Sequence, residues 1–230
     1  MNSVPVSSRP RAAIFDLDGT LVDNMRFHVE AWVSMSRRLG VELTAERVER
    51  EFAGKRNEEI FPTLLGRAVE AEELARLAEE KEAHYRELYA PHLVPLRGAR
   101  ELLARMKGAG LGLAVASAAP SANRAFVLDG LELRGHFAHV VGAEHVTRGK
   151  PHPDIFLAAA RALGVEPETC VAFEDAVMGI RSARAAGMLA VGVTTLTPAE
   201  VLREAGAHWT IEDFGVLPEA LERVLFGVEG

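Results

Sequence analysis

Ala12-Ala13-Ile14-Phe15-Asp16-Leu17-Asp18-Gly19-Thr20 is the stretch on which the reading of this chain turns. A short apolar run, Ala12 to Phe15, meets two aspartates one residue apart, and a glycine follows at once. Runs of this length next to a glycine read as buried strands, so Asp16 falls at a strand's carboxyl end. Open α/β sheets place their ligands at that end. Two carboxylates this close repel each other, which calls for a positive group beside them. A hard cation such as Mg²⁺ suits oxygen ligands. Asp-Gly is also a common surface-turn dipeptide, and the rest of the chain has to decide between the two readings.

Downstream of Asp23 the pattern becomes helical. Phe27, Trp32, Met35 and Leu39 recur at near-helical spacing up to Gly40. A second helix is expected from Thr44, a third over Glu58–Leu65 and a long charged one over 69–90. No strand pattern occurs from 24 to 90, so this block is an all-helical insertion after the first strand. From 91 onward strands and helices alternate. Strands are expected at 111–116, 139–141, 170–173, 189–193 and, weakly, 209–211. Helices are expected at 97–107, 121–131, 153–163, 176–186, 198–205 and 217–225. Strands alternating with helices of about ten residues indicate right-handed βαβ units and a parallel sheet. The expected fold class is α/β, a Rossmann-like, doubly wound parallel-sheet core made by 1–23 and 91–230, with the all-α segment 24–90 inserted as a second domain.

Bulk properties narrow the function. A chain of 230 residues, 48% hydrophobic, can bury one sizeable core plus a small second domain. The formal charge of -7 is spread, and basic residues form no stripe, which argues against a nucleic-acid partner. The single cysteine, Cys170, cannot form an intrachain disulfide and opens an apolar run, so it reads as a buried thiol in a reducing compartment. No stretch approaches the roughly 20 apolar residues of a membrane span, and the start of the chain lacks the apolar segment of a secretory signal. A cytoplasmic location with no membrane partner is expected. The sequence fixes no oligomeric state; a monomer is favoured.

In a parallel sheet all carboxyl ends lie on one edge. Asp16 and Asp18, Ser117, the loop carrying Gly149-Lys150-Pro151, and Glu174-Asp175 each follow an expected strand. Two acidic pairs, a hydroxyl and a lysine then converge on one crevice. Four carboxylates and one lysine cannot all be ionised in a dry pocket unless a cation joins them. A divalent metal with Lys150 would make the pocket attractive to a dianionic phosphate, with Ser117 donating to its oxygens. Each residue alone has a plainer reading: Ser117 a turn, Lys150 a solvated charge, Glu174-Asp175 the acidic start of a helix. The plainer readings do not account for all of them falling at strand ends in this order.

With these residues in place, the chain resembles the haloacid dehalogenase-like hydrolase superfamily. Its four motifs stand here as Asp16-Leu17-Asp18-Gly19-Thr20, Ser117, Lys150 in Gly-Lys-Pro-His-Pro-Asp, and Glu174-Asp175. The segment 24–90 matches the family's small helical cap, and the chain looks most like the β-phosphoglucomutase and phosphoglycolate phosphatase branch. The resemblance implies a phosphoric monoester hydrolase acting on a small phosphorylated metabolite through an aspartyl phosphate. Asp16 would be the nucleophile and Asp18 the acid and base, while Ser117 and Lys150 would hold the phosphoryl oxygens. Mg²⁺ would be held by Asp16, the Asp18 carbonyl, Glu174 and Asp175, and Gly19 and Thr20 would shape the loop. Substrate contacts are expected from His28, Lys55, Arg56 and Asn57 in the cap and from Ser117, Ala118 and Lys150 in the core. Lys55 and Arg56 also read as a solvated helix start. The alternative reaction is a phosphomutase. Against it, Ala118-Ala119-Pro120-Ser121 lacks the polar and basic groups of the mutases' sugar-binding stretch. A phosphorylatable receiver and a non-catalytic binding module fit less well, because the cap, the nucleophile and the acid occur together.

Overall fold

A computed structural model describes residues 9–52 and 56–227. The strands are β1 (Ala12–Phe15), β2 (Gly112–Ser117), β3 (His139–Gly142), β4 (Cys170–Glu174), β5 (Leu189–Val193) and β6 (Trp209–Ile211). They form one parallel sheet in the order β3-β2-β1-β4-β5-β6. The order reverses between β1 and β4, whose registers pair Ala12 with Cys170 and Phe15 with Phe173. That reversal opens a crevice at the carboxyl ends of these two strands. All residues of β1 and β4 are buried, as a parallel sheet covered on both faces requires.

The strand alternation sorts the core. Ala12 and Ile14 of β1, with Ala114, Ala116, Cys170 and Ala172, pack against Phe156, Ala159, Ile180 and Ala183. Small strand residues let helices approach this face closely. The thiol of Cys170 is fully buried, and burial pushes its pKa up to about 11. Ring packing joins Phe15 and Phe173, stacked at 4.5 Å, with Phe137 and Phe214 set edge-on to Phe15 at 6.0 and 6.1 Å.

By packing, the chain divides into two compact units, one of residues up to 23 with 94 onward, the other of residues 24–93. The second unit holds α1 (Met25–Arg38), α2 (Ala45–Phe52), α3 (Asn57–Leu65) and α4 (Ala71–Tyr89), closed by the 3₁₀ turn Ala90–His92. Trp32 centres its core, 5.0 Å from the Phe61 ring and 5.5 Å from Phe52, with Met35, Ile60, Leu64 and Leu77 around them. No strand occurs among its described residues. The α/β unit adds α5 (Ala99–Gly108), α6 (Ser121–Gly130), α7 (Asp154–Leu163), α8 (Val177–Ala185), α9 (Ala199–Glu204) and α10 (Glu219–Phe226). Two of these begin two residues later than the sequence pattern suggests. Gly98, at φ +77 and pressed against the Phe214–Gly215 backbone, delays α5 to Ala99. Pro218 takes the N-cap of α10, where its missing N–H and fixed φ cost least. No described helix is long and apolar enough to cross a membrane.

Candidate active site

The site is built from strand ends. Asp16 is the residue after β1, its N–H bound to the Phe173 carbonyl at 2.9 Å, so the chain is still in register with β4 when it reaches the carboxylate. Glu174 ends β4 and Asp175 follows it. All three acids are buried, at 7%, 1% and 3% exposure. One oxygen of each lies within 4.8 Å of the others. Lys150, on the loop after β3, reaches into this group. Its Nζ donates to Asp16 Oδ1 at 2.6 Å and to Glu174 Oε1, and it lies 5.3 Å from the Phe156 ring centroid.

Glu174 and Asp175 also have fixed polar partners. Thr20 Oγ1 donates to Asp175 Oδ1 at 3.0 Å, and the Ala176 N–H donates to Glu174 Oε2 at 2.9 Å. Two glycines make room. Gly19 sits at φ +76, and a Cβ there would strike the Asp175 carboxylate. A Cβ on Gly179 would strike the Glu174 carboxylate. Thr195 Oγ1 donates to the Gly19 carbonyl and ties the turn after Asp18 to the loop after β5.

Three buried carboxylates and one ammonium leave an excess of negative charge. Burial, with the Glu174 and Asp18 charges, pushes the Asp16 carboxyl up to about 7 against the pull of Lys150. Burial, then Glu174 and Asp16, holds Asp175 well above the ordinary carboxylate range. Burial works against the Lys150 ammonium, but Asp16 and Glu174 outweigh it and raise its pKa. An added divalent cation would relieve all three acids at once. The donors are all oxygen and closely spaced, which fits a hard cation.

Ser117 ends β2, the strand beside β1, and is 2% exposed. Its Oγ accepts the Ala119 N–H at 3.1 Å, and Ala118 between them is exposed. Asp18 is half-buried, its backbone bridged to Val22. It lies outside the carboxylate trio, and the notional ligand at this position is its carbonyl rather than its side chain.

The remaining expected residues lie in the helical unit. His28 stacks on Tyr85 at 3.7 Å, with Lys81 Nζ 3.0 Å from its Nδ1. Lys81 also pairs with Glu82 at 3.1 Å, and Asn57 Nδ2 donates to Glu82 Oε1 at 2.9 Å. His28 and Asn57 thus belong to one polar chain through Lys81 and Glu82. Arg56 is exposed, and its N–H donates to Glu59 Oε2 at 3.0 Å as a helix start. Lys55 lies outside the described residues. Sequence reasoning missed Gly179, Thr195 and Lys81. Gly179 has a weak signal, a glycine inside a helical pattern four residues after Asp175. Lys81 has none, since it is one charge among many in α4.

Residues 10–187 match the haloacid dehalogenase-like hydrolase family. A validoxylamine A 7'-phosphate phosphatase of Streptomyces hygroscopicus subsp. limoneus is 34% identical, over 85% of this chain and 91% of its own. A fructose-1-phosphate phosphatase of Escherichia coli is also 34% identical, over 80% of this chain and 96% of its own. Among solved structures, a β-phosphoglucomutase from Clostridium difficile superposes with a TM-score of 0.80 at 28% identity, covering 94% of this chain and 97% of that one.

Proposed function

The chain belongs to the haloacid dehalogenase-like hydrolases and is a phosphoric monoester hydrolase, and from that premise we propose that it hydrolyses a small phosphorylated carbohydrate in the cytoplasm through an Asp16 phosphoenzyme, with Mg²⁺ as cofactor. The observation that carries this reading is the Lys150 ammonium set between Asp16 and Glu174 beside Asp175. A nucleophilic carboxylate, a fixed cation and a cradle for a second cation lie within one hydrogen-bonded group.

In the first half-reaction an Asp16 oxygen attacks phosphorus and the bond to the ester oxygen breaks. Asp18 gives its proton to that leaving oxygen. In the second, water attacks the phosphorus of the acyl phosphate, Asp18 takes the water's proton, and phosphate leaves with Asp16 restored. Lys150 and the Ser117 hydroxyl donate to the phosphoryl oxygens, where charge spreads during in-line transfer. Bound at Asp16, Glu174, Asp175 and the Asp18 carbonyl, Mg²⁺ would supply the charge that keeps Asp16 ionised and neutralises the phosphoryl group. We assign the segment 24–90 as the cap, and His28, Lys55, Arg56, Asn57 and Ala118 as substrate contacts.

Two related proteins named for phosphatase activity on phosphorylated compounds support the hydrolytic reading. The likeness to a β-phosphoglucomutase favours a mutase as the second reading. A panel of sugar phosphates with Mg²⁺, including β-glucose 1-phosphate with a trace of glucose 1,6-bisphosphate, separates them. Phosphate release is expected. Isomerisation without release would replace hydrolysis by mutation of the phosphate position. Asp16→Asn, as control, should lose release by at least about a thousandfold while keeping its circular dichroism spectrum.

A further inference from the structure

Arg124 lies in the first turns of α6 with its side chain buried, an unusual place for a guanidinium. Nη1 donates to the Ala119 carbonyl, and both terminal nitrogens reach Glu144, Nη1 at 3.2 Å from Oε2. Glu144 lies in the 3₁₀ turn Ala143–His145 directly after β3. The space for the guanidinium comes from Gly142, the last residue of β3, paired in register with Ser117. A Cβ on Gly142 would strike both Arg124 and Glu144.

The peptide groups of Ala119 are therefore held at both ends. Its N–H is fixed on Ser117 Oγ at 3.1 Å, and its carbonyl is fixed on Arg124. The Oγ lone pair that accepts from Ala119 leaves the serine's own hydrogen to donate elsewhere. The pair with Glu144 adds little net stability, because Glu144 is half-exposed to screening solvent while the buried guanidinium has lost its hydration. Stability is thus a poor reason for burying Arg124, whereas the planar fork of a guanidinium is well suited to fixing a carbonyl and a carboxylate in one geometry.

We propose that Arg124, braced by Glu144 across Gly142, is a positioning residue that fixes the Ser117–Ala119 turn and aims the Ser117 hydroxyl at the phosphoryl group. This rests on the reading of Ser117 as a phosphoryl ligand. Arg124 touches no reacting atom in it.

The test uses the full chain with Mg²⁺, p-nitrophenyl phosphate as substrate and inorganic phosphate as inhibitor, at a temperature where each variant keeps its native circular dichroism. Arg124→Met should weaken phosphate inhibition and lower kcat/KM by about tenfold or more, as small misplacements near a reacting centre do. Gly142→Ala keeps the arginine but denies it its seat, and should shift both quantities the same way. Ser117→Ala should itself weaken phosphate inhibition, and adding Arg124→Met to it should cost little more, because the two act as one unit. Unchanged phosphate inhibition in folded Arg124→Met and Gly142→Ala would overturn the proposal, as would a full, independent loss in the double variant. If Ser117→Ala alone leaves phosphate inhibition unchanged, it is the serine's role that fails, and Arg124 loses its purpose with it.

Discussion

His28 shows how one side chain takes its character from its neighbours. Burial disfavours a charged ring, and Lys81 3.0 Å away repels a second proton, so its pKa falls well below the ordinary histidine value of 6.5. Tyr85 stacks on the ring, and Glu82 pairs with Lys81. The native ring is therefore neutral where an unfolded chain's ring would already be taking up a proton. Below pH 6.5 the unfolded state binds more protons than the native state, so stability falls as pH drops, by up to about 1.4 kcal/mol per pH unit from this residue. Above the unfolded value the contribution is fully present. Urea unfolding of the parent and of His28→Gln, compared between about pH 7.5 and pH 5, should show the shallower acid slope in the variant. Equal slopes would mean that His28 protonates as easily in the native protein as in the unfolded one. At this same scale the sequence was least legible. Asp16, Lys150, Glu174 and Asp175 could be found because each follows a strand, and strands announce themselves by apolar runs. Lys81 and Arg124 could not, because each is held by a partner far along the chain, His28 for Lys81 and Glu144 for Arg124, that no local pattern links to it.

Among elements, α8 carries the sharpest conflict between local preference and the site. Gly179 stands inside it, and a helix interior favours alanine over glycine by about 1 kcal/mol. On propensity alone Gly179→Ala should stabilise the protein. Against that, the new methyl would occupy the place of the Glu174 carboxylate, which is held by Lys150 and by the Ala176 N–H at 2.9 Å. Overpacking of a tight interior costs roughly 1–3 kcal/mol, and displacing a buried carboxylate from its partners adds to that. The steric and electrostatic cost is the larger, so Gly179→Ala should lower the unfolding free energy by about 1–2 kcal/mol and weaken activation by Mg²⁺. Thermal unfolding and a Mg²⁺ titration of phosphate release check both. A variant more stable than the parent with an unchanged titration would show that Glu174 can move aside freely. The strands and their order of appearance were readable from β-length apolar runs, and the helical block from its spacing. The starts of α5 and α10 are not legible locally, because Gly98 is constrained by the distant Phe214–Gly215 backbone and Pro218 caps rather than joins its helix.

For the molecule as a whole, the acids that could hold a metal among the described residues all come from one unit. Asp16, Glu174 and Asp175 belong to the α/β unit, while α1 to α4 contribute none of them. A ligand that binds only the native state stabilises it by RT ln(1 + [L]/Kd), about 2.7 kcal/mol at a hundredfold excess over Kd. That free energy is felt by the openings that release the ion. Separating β1 from β4 parts Asp16 from Glu174 and Asp175 and must release it. Unfolding confined to α1–α4 leaves all three carboxylates in place, so it gains nothing from the ion. Local and sub-global openings of this kind are what amide hydrogen exchange reports. Adding Mg²⁺ should therefore slow exchange in β1 and β4 and leave the slowest amides of α1 and α4 unchanged, and Asp175→Asn should abolish the slowing. Equal slowing in α1 and α4 would mean that the two units open together as one cooperative body. No slowing in β1 or β4 at millimolar Mg²⁺ would remove the ion from this site and leave its charge to be met by Lys150, which donates to Asp16 and Glu174.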